Sequence, residues 1–273
     1  MFRTIANIPL DLDLSDKDAV AQLAAEPLSY HPKFNRLSIY FLGDHPGIDI
    51  KNGGPGIAIN INCGNNKIKL QAYALALYNG ASALLSVCKF AFMSAPMLQD
   101  VTNPPAWAVD PNKDQSHKTQ FYDGYGCENL GDTDSNWMDS TAAIILHELF
   151  HFPGLFADVP DYGATIPLKG VVPGSGPGSG PIEHQIDDWY GKGKTPPNGY
   201  GAYNAKLVND LHPLDKNGRP FLAIYNADNY AWYALNSYFS KTCGKEFQEC
   251  PSNAAALSKP RYPAPWPFDV SPA

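Results

Sequence analysis

Residues 147–151 read His-Glu-Leu-Phe-His, and they lie inside an almost unbroken apolar stretch, STAAIILHELFHF, that runs into Pro153-Gly154. On a helix, positions i and i+4 share one face, so the H-E-x-x-H spacing lets both imidazoles reach one metal ion. The apolar residues on every side require that helix to be buried. Asp139 is placed to cap its start, and Pro153-Gly154 to end it. Histidines buried in such a helix need partners for their ring nitrogens, which favours ligands over two solvated surface residues. Glu148 is offset from the histidine face and can reach a metal-bound water, whose pKa zinc lowers to about 7.

The remaining composition narrows the class. The chain has 273 residues, 27 acidic against 20 basic, and a formal charge of −7. That length supports one large domain or two small ones with a sizeable core. The acidic balance argues against nucleic acid, whose phosphates require basic surface. No apolar run reaches the roughly 18 residues of a membrane span, so no membrane partner is expected. The N-terminal MFRTIANIPLDLDLSDKD shows no sustained apolar core of a signal peptide. With 23 glycines and 25 prolines, much of the chain is expected as loop, and 12% aromatics argue against disorder. Five cysteines leave at least one unpaired, and Cys243 with Cys250 could close a short loop.

Ser15-Asp16-Lys17-Asp18 resembles a capping box, predicting a helix over about 16–26. LSIYFL at 37–42 and IAINI at 57–61 read as strands. The Ala/Leu-rich segment 67–92 reads as a long helix, interrupted or ended near Asn79-Gly80. Residues 96–125 look irregular, and VVPGSGPGSGP at 171–181 reads as a low-complexity surface loop. A last helix is predicted over about 226–241, stopping near Cys243-Gly244.

A catalytic zinc site takes three protein ligands and keeps a fourth position for water. A metzincin-type third ligand is ruled out, because position 157 is Ala and no methionine follows Met138. Glu183-x-x-x-Asp187 has the spacing of a thermolysin-type pair, with Glu183 as ligand.

HELFHFPGLF, a later Asp-Asp, Gly199-Tyr200-Gly201 followed by AYNAKLV, and Asn226-Ala227-Asp228-Asn229-Tyr230 together resemble the aspzincin (deuterolysin-like) metallopeptidases of fungi. Asp139-Ser140, eight and seven residues before the first histidine, add to the likeness. The resemblance spans roughly residues 120–240. It implies a secreted zinc endopeptidase with a predominantly helical, zincin-like α+β core, a small mixed or antiparallel sheet and long loops. It also implies an aspartate as third ligand and a tyrosine that stabilises the oxyanion.

The chain departs from the family pattern. No Gly-Thr precedes the aspartate, and about thirty residues are inserted. Asp188 is favoured as the third ligand over Asp187, which has the local pattern D-x-x-Y-G, over Asp161 and over Glu183; His184 is a further alternative. Tyr200 is the favoured oxyanion tyrosine and Tyr190 the alternative. Asp228 could accept a hydrogen bond from a ligand histidine, line the pocket or cap the last helix. Position 231, acidic in the lysine-specific branch, is Ala, so strict lysine preference is not implied.

The expected assignment is therefore one peptidase domain over 1–273. Residues 101–245 form the zinc-site core, and 1–100 are free to form an N-terminal lobe. Metal ligands are His147, His151 and Asp188, with Glu148 and Tyr200 catalytic and Zn2+ the cofactor. The substrate is a peptide or protein, and the chain is expected to act as a monomer. The alternatives are a zinc-binding or recognition protein with little catalysis on the same scaffold, and an exopeptidase or hydrolase of another amide.

Overall fold

A computed structural model describes residues 1–6, 8–9, 11–25, 33–46, 62–64, 70–77, 81–103, 126–127, 130–167, 170–172, 180–182, 184–191, 193–215, 218–253 and 255. Its elements are α1 (Phe2–Ile5), α2 (Lys17–Ala25), β1 (Leu37–Phe41), β2 (Ala72–Leu77), β3 (Ser82–Val87), α3 (Lys89–Ser94), α4 (Leu98–Thr102), α5 (Thr141–Phe150), α6 (Pro153–Phe156), α7 (Tyr162–Thr165), β4 (Gly170–Val172), β5 (Gly180–Ile182), α8 (Ala202–Leu211) and α9 (Ala227–Cys243). Among the described residues the fold is α+β: helices packed with a three-stranded mixed sheet, and a separate two-stranded ribbon, β4–β5. No described helix is long and apolar enough to cross a membrane.

The sheet has the order β1-β3-β2, with β1 parallel to β3 and β2 antiparallel to it. The long helix expected over 67–92 is instead this β2–β3 pair over 72–77 and 82–87, and only its end, from Lys89, is helical, in α3. Ala and Leu favour helix locally, but propensity is a weak prior that strand pairing overrides. Ala83, Leu85 and Val87 alternate into the core at 2%, 0% and 0% exposure, a period of two rather than 3.6. The sequence between the strands contains Asn-Gly, the strongest short-range hairpin signal. The strand at 37–42 is present as β1, and the helix at 16–26 as α2. The strand expected at 57–61 lies outside the described residues.

The helix that carries the motif is the hinge of the interior. One core cluster joins Ile144, Leu149 and Phe150 of α5 to Leu85 and Val87 of β3 and to Leu155 and Phe156 of α6. A second joins Ala143 to Trp232, Leu235 and Phe239 of α9. The described strands before residue 100 thus share a core with α5. Each large side chain buried this way contributes about 1.5–3 kcal/mol.

The helix start differs from expectation. Thr141 is the first helical residue, so Ser140 takes the cap position and its Oγ accepts from the Ala143 N–H at 3.2 Å. Asp139 lies one residue too early and accepts the Ser140 N–H instead. The helix ends by His151, and Pro153 opens α6 at a position where its missing N–H costs nothing. At the far end of α9, Gly244 adopts φ +64°, the left-handed conformation that terminates helices.

The cysteines also pair differently from expectation. Cys63 bonds Cys88, and Cys243 bonds Cys127 rather than Cys250. Cys243 ends α9, whereas Cys250 is buried with its thiol on the Ser252 carbonyl. Local sequence spacing carries no information about a partner 116 residues away.

Candidate metal centre

His147 sits in the last turns of α5, and His151 is the residue that closes it. Both are buried at 7% exposure. The third group arrives from the loop before α8. Ile186 is fully buried in the core beneath the helix, and Asp187 pairs backbone to backbone with the segment entering α9. This fastens the loop on both sides and turns the next residue, Asp188, onto the histidines.

Oδ1 of Asp188 lies 3.1 Å from Nε2 of His147, and Oδ2 lies 3.3 Å from Nε2 of His151. The two Nε2 atoms are 3.2 Å apart. One donor atom from each of the three residues falls within 4.8 Å of the others, a group that could hold a metal ion.

Their hydrogen bonds make the case for a cation. Nδ1 of His151 faces the Ile186 carbonyl at 2.8 Å, and a carbonyl only accepts, so that nitrogen carries the proton. Nδ1 of His147 faces the Asp228 carboxylate at 3.0 Å and is a donor by the same reasoning. In the neutral rings both Nε2 atoms are then bare lone pairs, aimed at one another and at a carboxylate. Oδ1 of Asp188 is buried and accepts no hydrogen bond. Three converging lone pairs in a buried space repel unless a cation joins them. An N,N,O donor set with both outer ring nitrogens anchored suits a transition metal such as zinc.

Burial disfavours charge on His147 and His151, but the Asp188 carboxylate outweighs it and raises both above the usual imidazole range. Burial likewise opposes ionisation of Asp188, yet the histidines hold it well below the usual carboxylate range.

Glu148 is buried beside this group, one residue around the helix. Burial raises its pKa, while the two histidines and a backbone hydrogen bond from Ala74 of β2 pull it down. The net direction is upward. Tyr200 donates its phenol to Oδ2 of Asp188 at 3.0 Å, and Tyr190 contacts the Tyr200 hydroxyl at 2.6 Å. Since Tyr200 spends its proton on Asp188, Tyr190 is the donor in that second bond. Burial raises both phenols above the usual tyrosine range, and for Tyr200 the nearby Asp188 charge adds to it, so both remain donors.

The structure separates the competing acids. Asp161 is exposed and begins α7 at φ +60°. Asp187 engages the backbone at Tyr225 and Ala227 and lies outside the cluster. His184 turns its Nδ1 to the Ile166 carbonyl at 2.6 Å. Glu183 lies outside the described residues. Both tyrosines adjoin the cluster, and Asp228 both accepts from His147 and lines the adjoining cleft.

Sequence reasoning missed Asn226. Its side chain is fully buried, accepts the Trp189 N–H at 3.1 Å and donates to the Gly199 carbonyl at 3.1 Å. It therefore clasps the residue after Asp188 to the residue before Tyr200. Gly199 has to be glycine here, because a Cβ would collide with the Asn226 amide. The sequence offered only a weak signal, an Asn at the start of the predicted last helix. Gln185, which donates to the His151 carbonyl at 2.7 Å, carried none.

A cleft of about 490 Å3 opens from His147 and Glu148, between α5 and α9 and beneath the residues leading into β2. That volume lies within the range of small-ligand sites. Searches against protein-family models, curated proteins and solved structures find no match to this chain.

Proposed function

We propose that the protein is a zinc-dependent endopeptidase of the aspzincin type, built on a zincin-like core and secreted. The observation that carries this reading is the convergence of two Nε2 lone pairs and an unpartnered Asp188 oxygen beside a buried glutamate, with His147 and Glu148 lining a cleft. His147, His151 and Asp188 would hold the ion. Zinc, when bound, supplies Lewis acidity that polarises a carbonyl and acidifies water.

The protein groups account for the proton traffic. Glu148 accepts a proton from the attacking water and returns it to the amine as the peptide C–N bond breaks. Tyr200 holds its proton on Asp188 at rest and would turn it to the carbonyl oxygen as negative charge develops there. Asp228 and the Ile186 carbonyl keep both ligand rings in the tautomer that leaves Nε2 free. Two disulfides are compatible with an oxidising, extracellular setting. The substrate is a peptide or protein, and the reading needs no second subunit.

The test is digestion of a mixed peptide library by zinc-loaded protein, read by mass spectrometry, with Glu148→Gln as the control. Internal cuts that disappear in the variant, with zinc retained, support the reading. Near-native turnover by the variant sinks the mechanism. Zinc-loaded protein that makes no cuts leaves a metal-binding protein without peptidase activity.

A further inference from the structure

The cleft has two unlike ends. One carries His147, Glu148, Tyr200 and Asp228. The other, one turn back along α5 and onward along α9, is a recess that holds the apolar Ala143, Ile144, Ala231, Trp232 and Leu235; Leu70 and the polar Gln71, Asn136 and Asp139 also line the cleft. These wall residues of the two helices are 3–8% exposed, so the wall is part of the packed core and is already formed. Both helices contribute an alanine to it, and a methyl at each position leaves room for a side chain from outside.

Both aspartates on the lining already hold donors. Asp228 accepts from His147 through Oδ1, and from the Gly201 N–H and the Trp232 indole through Oδ2, at 2.6 and 3.0 Å. Three donors thus engage its carboxylate and leave it little capacity for a substrate cation. Asp139, which also lines the cleft, accepts the Ser140 N–H at the start of α5 through one oxygen. An ammonium or guanidinium among the apolar wall residues would lose its water and find no partner on them, which is costly. An apolar side chain loses nothing there and displaces water from apolar surface.

We propose that this recess receives the side chain of a residue flanking the bond to be cut, and that it selects an apolar residue the size of Leu, Met or Phe. The inference rests on the peptidase reading above and names the substrate class of that same site. Specificity pockets of this kind discriminate by tenfold or more for about one or two methylenes.

Two measurements test it. The first is the cleavage profile of zinc-loaded protein on a mixed peptide library. Apolar residues should be enriched about tenfold over Lys, Arg, Asp and Glu at one position beside the cut. Ala231→Phe, which fills the recess, should move that preference to Gly, Ala and Ser, while Leu235→Ala, which deepens it, should move it toward Phe and Trp. The second is calorimetric binding of Ala-Ala-Xaa-Ala-Ala-Ala amides to zinc-loaded Glu148→Gln protein, which reads the recess without turnover. Xaa as Leu should bind about tenfold more tightly than Xaa as Lys or Asp. Cuts or binding with no apolar preference overturn the recess assignment and leave the peptidase reading standing. A dominant preference for Lys or Arg overturns it as well and points to Asp139. Zinc-loaded protein that neither cuts nor binds any peptide overturns both.

Discussion

Nδ1 of His147 donates to Oδ1 of Asp228 across 3.0 Å, joining the motif helix α5 to the first turn of α9. The same carboxylate takes the Gly201 N–H, the residue after Tyr200, at 2.6 Å. One side chain therefore sets the tautomer of a proposed ligand and the position of the tyrosine loop. Asp228→Ala should weaken zinc binding by about 10–100-fold while the fold is kept. Competition against a chelator of known affinity measures this. Unchanged affinity would mean that helix packing alone orients the ring.

Asn226→Ala removes the clasp between the Asp188 and Tyr200 loops. It leaves the Trp189 N–H and the Gly199 carbonyl buried without partners. Each such orphan costs about 1–3 kcal/mol, so a loss of about 3 kcal/mol is expected in urea unfolding of the metal-free protein. Zinc affinity should fall with it, because Asp188 follows the loop. A loss under about 1 kcal/mol would show that water or neighbouring groups replace the amide.

Asp134 provides a pH test away from the metal centre. Burial pushes its carboxyl up to about 6; a hydrogen bond from Asn236 opposes the rise, and the charge of Glu249 adds to it. The folded pKa lies above the unfolded value, so the native state holds this proton more tightly. Its stabilising contribution is complete below about pH 4 and is lost as pH rises through about 6. Asp134→Asn keeps an oxygen for Asn236 and removes the charge. It should gain about 1–2 kcal/mol at pH 8, less than the full shift because the site is partly exposed, and nothing at pH 4. Thermal unfolding at the two pH values checks it, and an equal gain at both would assign the effect to something other than ionisation.

The Cys127–Cys243 bond closes a loop of 116 residues around the motif helix and ends at the last turn of α9. Cys127→Ser should cost about 3–5 kcal/mol, chiefly by freeing the unfolded chain. Denaturant unfolding of the variant reads this directly. A cost below about 1 kcal/mol would show that packing of α9 holds that end alone.

Legibility in the sequence followed the range of the interactions. The motif helix, α2, β1 and α9 could be read because each signal is local: a cap, a period or a stop residue within a few positions. The 67–92 segment was misread because its Ala/Leu content favours helix, whereas its pairing with β1 and the burial of Leu85 and Val87 are decided by distant contacts. The cap of α5 shifted by one residue, which local rules do not resolve.

The same division holds at the site. The i, i+4 geometry of a helix places His147 and His151 on one face whatever surrounds them, so the sequence by itself determined a histidine pair with Glu148 beside it. It could also narrow the third group to a handful of acids. Which of the described acids lies beside the pair was decided only by the tertiary structure, since Asp188 reaches it through Ile186 buried in the core and Asp187 paired at the start of α9. Asn226, Gln185 and the Ala74 backbone entered the site in the same way, through folded contacts that no local spacing encodes.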